Sequence, residues 1–248
     1  MERIVLPEWL DVLPPQNAAA LRSRRELRRV NAWMNHPRIM SGVLQKNLAQ
    51  QPARRIVDLG AGDGHFLLGV AQRLPWPQAE AVLVDRLNLF APQTAERFNR
   101  LGWRVRAELS EAAEYLRPER RPATGFDSGH TSSRSETGAS AQSRTIVSNL
   151  FFHQFQTQPL AELLQLAADS ALLIVALEPR RAWLARLGGR LLRFLGCGPV
   201  TRHDARVSIR AGFAGHELSA LWPDKSNWDL SERRAGWCSH LFVARRRS

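Results

Sequence analysis

The chain has 248 residues, 44% of them hydrophobic, and a formal net charge of +12 at pH 7, which fits one large domain, or a domain with additions, around a proper core. No apolar run reaches the roughly 18 residues of a transmembrane helix, and the start Met1-Glu2-Arg3-Ile4-Val5-Leu6-Pro7-Glu8 lacks a secretory h-region, so a cytoplasmic location is expected. Two cysteines, Cys197 and Cys238, cannot form a metal cluster alone, and no metal is expected. Only Lys46 and Lys225 are lysines among the 35 basic residues, and the arginines are dispersed apart from runs at 22–29 and 245–247, so the charge is weak ground for a nucleic-acid partner.

Residues 1–51 precede the first strand and read as an N-terminal helical cap. After Pro7, Pro14 and Pro15, a helix is expected from about Asn17, with Leu21, Leu27, Val30, Trp33 and Met34 as its apolar stripe. Pro37 breaks it, and a second helix follows over 38–50. The run Ile56-Val57-Asp58-Leu59 suits a buried strand, then Gly60, Gly62 and Gly64 lead into a helix from His65 to Leu74. Glycines at such a corner let a ligand lie against the backbone, and the helix start offers unpaired N–H groups. Ala81 to Asp85 is a second strand ending in an acid, placed where a carboxylate accepts hydrogen bonds from both hydroxyls of a ribose.

A helix over 94–101, a strand over 103–107 and a helix over 111–116 come next. Residues 118–144 are rich in Ser, Thr and Gly with Phe126 as the one large apolar side chain, so they read as a disordered insertion. Thr145 to Leu150 is the fourth strand, 159–168 a helix and 170–179 the fifth strand. A basic amphipathic helix is expected over 180–196, with Trp183 on its apolar side, then helices from Thr201 to about Gly212 and over 215–221, and two antiparallel strands, 228–234 and 239–246.

The glycine spacing is not the dinucleotide G-x-G-x-x-G, which counts against a nicotinamide cofactor. Asp58-x-Gly60-x-Gly62-x-Gly64 resembles instead the first motif of class I S-adenosylmethionine-dependent methyltransferases. Ser148-Asn149-Leu150-Phe151-Phe152-His153-Gln154-Phe155 resembles the fourth motif of their small-molecule members, and Glu178-Pro179 resembles their usual end of the fifth strand. The resemblance spans 54–246, with the insertion foreign to it. It implies an α/β, Rossmann-like fold: a seven-stranded, mostly parallel sheet with a terminal antiparallel hairpin, helices on both faces and an N-terminal helical extension. Residues 52–248 would be the methyltransferase domain. It implies S-adenosylmethionine as cofactor, held by Asp58, Gly60, Gly62, Gly64, Asp85 and Asn149, with Glu108 the nearest candidate for the adenine contact after the third strand, where the family's Asp is missing.

The expected activity is methyl transfer to an oxygen or carbon of a small aromatic or lipid-like molecule. His153 is the candidate proton acceptor, at the carboxyl edge of the sheet; the same residue also reads as a structural histidine bound to a loop carbonyl. His203 with Asp204 is a second option, set against Asp204 or Thr201 as a helix cap. Phe151, Phe152 and Trp183 would stack on an aromatic substrate or pack in the core. The alternatives are an RNA methyltransferase and a non-catalytic binding module with the same fold.

Overall fold

Four apolar runs of the sequence become neighbouring parallel strands. The computed structural model describes residues 2–14, 16–49, 55–118, 144–182, 192 and 196–247. β1 (Arg55–Leu59), β2 (Glu80–Asp85), β3 (Arg104–Leu109), β4 (Arg144–Asn149), β5 (Leu173–Pro179), β6 (Trp228–Ala235) and β7 (Ser239–Arg246) form one seven-stranded sheet in the order β3-β2-β1-β4-β5-β7-β6. β1 to β5 pair in parallel, and β7 runs antiparallel to both β5 and β6. This is the fold class expected from the sequence. β5 is buried along its whole length, as a strand covered on both faces must be, which is why its sequence is a continuous apolar run and not an alternating one.

Helices α3 (His36–Leu48), α4 (His65–Ala71) and α5 (Pro92–Arg100) cover one face, where Met40, Leu44, Leu67 and Phe98 pack on Ile56, Leu83 and Val175. Helices α6 (Ala112–Leu116), α7 (Thr157–Ser170) and α9 (Glu217–Leu221) cover the other, where Leu116, Leu160, Leu164 and Trp222 pack on Val57, Ile146 and Phe242. The chain runs outward from β1 to β2 and β3, then crosses back to β4, so a crevice opens where β1 and β4 end side by side.

The short helix α1 (Trp9–Val12) and the long α2 (Ala18–Trp33) lie against α8 (Pro199–Ala211). The face that α2 buries is Ala20, Ser23 and Glu26, not the expected apolar stripe. Glu26 accepts from the Gly198 N–H at 2.8 Å and from the Thr201 hydroxyl at 2.6 Å, a carboxylate set at the start of α8 where the helix dipole favours negative charge. The stripe points elsewhere: Leu21 is exposed, while Leu27, Val30, Trp33 and Met34 line the crevice. Pro37 does not break α2, which stops at Trp33 ahead of the left-handed Asn35; it sits instead in the first turn of α3, where a missing N–H costs nothing. The third strand runs two residues further than expected, to Leu109. Most of the segment 118–144 and of the helix read over 180–196, Trp183 included, lies outside the described residues.

Candidate active site

The turn after β1 is set by three glycines at left-handed φ, Gly60, Gly62 and Gly64, where any side chain is strained. Gly60 has φ +71°, and a Cβ there would stand 2.3 Å from the Phe151 ring. Gly62 has φ +56°, and a Cβ there would meet nothing within 4 Å, because it would project into open space. Gly64 N-caps α4. The loop is tied to β2: the Gly60 and Ala61 N–H groups donate to the Val84 carbonyl at 3.0 and 3.1 Å, and the Gly62 N–H donates to Asp85 Oδ2 at 2.8 Å. The other Asp85 oxygen accepts from the Leu87 N–H at 2.9 Å. Asp85 therefore shapes the loop, and each of its oxygens keeps acceptor capacity toward the space above.

That space is a cleft of about 560 Å³, in the usual size range of a small-molecule site. Its floor is the β1 and β4 ends and the glycine loop; its roof is α2. Two ion pairs tie the N-terminal helices to the sheet side: Arg28 of α2 to Asp63 of the glycine loop at 2.7 Å, and Asp11 of α1 to Arg86 just after β2 at 2.9 Å.

Asp58 is the anomalous group. It is 1% exposed, lines the cleft, and neither carboxyl oxygen has a hydrogen-bond partner among the described residues. Burial first, and the Asp85 charge second, push its carboxyl well above the usual carboxylate range. A buried acid left without partners is costly and points to a ligand that brings its own donors or positive charge.

The sequence-derived site residues divide. Asp58, Gly60, Gly62, Asp85 and Asn149 all line the cleft, while Gly64 supports its floor by capping α4. Glu108 does not line it. It lies within β3, ion-paired with Arg106 on the same strand face, and Ser110, Glu111 and Ala112 reach the cleft instead. The longer third strand moves the cleft-facing loop past Glu108.

His153 is in place but in the wrong state for the expected role. The ring is 2% exposed, with Nδ1 2.8 Å from Glu178 and Nε2 3.3 Å from Glu8. Burial alone would lower its pKa, but hydrogen bonds to Glu178 and Glu8 outweigh that and raise it to about 9. The ring is an imidazolium at neutral pH, with both N–H groups donated, and has no lone pair for a substrate proton. Glu178 also accepts from the backbone N–H groups of Phe151, Phe152 and His153 at 3.2, 2.9 and 3.3 Å, so it organises the turn after β4.

His203 and Asp204 do touch, at 3.0 Å, yet the carboxylate is taken up by the Trp9 and Leu10 N–H groups at 2.8 and 3.0 Å. Asp204 thus caps α1 from across the interface, and the His203 ring stacks on Trp9 with centroids 3.9 Å apart. Phe152 is core, while Phe151 borders the cleft. Both cysteines are free thiols, and among the described residues no group of side chains suits a metal ion and no helix is long and apolar enough to cross a membrane.

Two residues escaped the sequence reading. Glu8 reaches His153 from the N-terminal segment, and its carboxylate also accepts from the Ser208 hydroxyl. His36, fully buried at the start of α3, binds Asn149. Neither sits in a motif; only the fold brings them to β4.

No family model matches the chain, and no curated protein matches it in sequence. Solved structures do match. The plantazolicin methyltransferase BpumL in complex with SAH aligns at TM-score 0.58 and 12% identity over 94% of this chain and 92% of that one. An O-methyltransferase family protein from Burkholderia thailandensis aligns at TM-score 0.56 and 18% identity, over 94% of this chain and 63% of that one. Magnesium protoporphyrin IX methyltransferase from Synechocystis PCC 6803 with bound SAM aligns at TM-score 0.53 and 10% identity, over 96% and 88%. The chain has the class I methyltransferase fold. Within that methyltransferase fold, the glycine loop, Asp58 and Asp85 occupy the ends of β1 and β2, beside the point where the strand order reverses.

Proposed function

We propose that this chain is an S-adenosylmethionine-dependent methyltransferase acting on a small molecule with an apolar body. One observation carries the cofactor: the unpartnered, buried carboxyl of Asp58 faces the same cleft as the open space over Gly62. The cofactor bears an ammonium group for Asp58, hydroxyls for Asp85 and a nucleoside that needs bare backbone beside it. When bound, it supplies a methyl group already activated on a sulfonium. The chain's part is alignment and exclusion of water. The glycine loop and Asp85 hold the nucleoside end, Asp58 the ammonium, and Leu27, Val30 and Trp33 of α2, with Met34 just past its end, offer an apolar wall to the acceptor. With His153 already protonated, the acceptors that suit are a phenol, a carboxylic acid or a carbon beside a phenolate, which need little help with proton loss.

Methyl-labelled S-adenosylmethionine, incubated with the protein and cell extract fractions, tests this reading. Label is expected in the small-molecule fraction. Label in RNA alone supports the RNA-methylating alternative, and no transfer at all supports a binding module.

Asp58 gives a pH signature. Because its carboxyl is held well above the usual range, the folded protein keeps a proton that the unfolded chain releases. Its contribution to stability is full below the ordinary carboxylate pKa and is lost as pH rises through the folded value. An arriving ammonium reverses the preference, so SAH (S-adenosylhomocysteine) binding is expected to release a proton, measured by calorimetry in buffers of different ionisation enthalpy. Asp58→Asn is expected to abolish that release and weaken SAH binding while raising the stability of the ligand-free protein.

A further inference from the structure

His36 contributes no atom to the cleft wall, yet it touches a residue that does. It is fully buried, with Nδ1 2.6 Å from Asn149 Oδ1 and Nε2 2.5 Å from Ser239 Oγ. The amide oxygen only accepts, so Nδ1 must carry the proton. Burial holds the ring down at about 4, against the raising effect of the Asn149 hydrogen bond, so the imidazole is neutral and Nε2 accepts from the Ser239 hydroxyl. The Asn149 oxygen is thereby occupied, while its amide nitrogen has no partner among the described residues and the side chain borders the cleft.

Asn149 ends β4 beside β1, on the sheet face that also carries Asp58: Asp58 is in register with Val147, and Asn149 follows two residues on. An acceptor without donors and a donor without acceptors thus share one face of adjacent strands. That pair is complementary to an ammonium and a carboxylate on one carbon.

The geometry points to His36 as a positioning residue that turns the Asn149 amide nitrogen toward the carboxylate at the amino-acid end of the cofactor. This rests on the methyltransferase reading above. The reverse arrangement has the amide nitrogen facing an unprotonated Nδ1 and presents an oxygen to the cleft. It would repel a carboxylate, so the tautomer of His36 decides what the cleft wall attracts.

The test uses two ligands and two variants. SAH carries the amino-acid end; 5′-methylthioadenosine lacks it. By calorimetry, His36→Leu is expected to weaken SAH about tenfold, the scale of one hydrogen bond to a charged group, and to leave 5′-methylthioadenosine unchanged. His36→Asn, whose amide nitrogen can stand where Nδ1 stood, is expected to recover most of the SAH affinity. Ring ¹⁵N NMR of the wild-type protein should show the Nδ1–H tautomer at neutral pH, a readout that does not depend on any variant folding. Equal losses for both ligands, an unchanged SAH affinity in His36→Leu, or the Nε2–H tautomer would each overturn the assignment. A wild-type protein that binds neither ligand would overturn the cofactor reading and this assignment with it, a result distinct from the others.

Discussion

Replacing Gly62 by valine is expected to abolish SAH binding while leaving the fold standing. At φ +56° a β-branched residue is strained by about 1–2 kcal/mol, a cost a domain of this size can carry. The new Cβ has no neighbour within 4 Å, so the side chain projects from the loop into the cleft that Gly62 lines. The affinity loss should exceed roughly 100-fold, about 2.7 kcal/mol, because the ligand can no longer lie on the backbone. Gly215→Val is the matched control: φ is +61°, nothing lies within 4 Å, and the residue does not line the cleft. It should cost similar stability and no affinity. Equal affinity in wild type and Gly62→Val would remove the glycine loop from the site.

The second large effect lies in the Glu8–His153–Glu178 chain. The folded His153 pKa of about 9 stands well above its ordinary value of 6.5, a difference worth about 3 kcal/mol. The sign follows from linkage: the folded protein binds the proton more tightly, so this stabilisation is complete below about pH 6.5 and is lost as pH rises through about 9. Melting temperature is expected to fall across that window. Glu178→Gln keeps an oxygen for the backbone N–H groups of Phe151 and Phe152 but removes the charge facing the imidazolium. It should destabilise the protein by about 3 kcal/mol at pH 6.5, as breaking a buried pair does, and flatten the melting profile above it. An unchanged slope in the variant would place His153 outside the titration.

These two sites also mark where sequence was legible. The glycine loop, Asp58 and Asp85 are one local device, a strand turning into a helix and a second strand ending beside it, so their spacing alone places them together. Glu8 and His36 act at β4 from more than 110 positions away in the chain, and no local pattern records that. The α2 stripe was legible as an apolar face, but its target was not. Helical spacing identifies an apolar face but not what it faces, and Leu27, Val30, Trp33 and Met34 line a cleft while a carboxylate, Glu26, docks the helix. Glu108 was misplaced because β3 is an edge strand whose residues stay partly exposed, so its end carries no burial signal. His153 was found in the right place, but its charge is set by Glu8 and Glu178, contacts that only the folded chain makes.

Titration of the wild-type protein with SAH tests the central claim most directly. The account predicts saturable binding at one site per chain, with a dissociation constant on the order of micromolar, strong enough to be read by calorimetry. An absence of binding up to about 1 mM, where the free energy of association falls to roughly 4 kcal/mol, would contradict it.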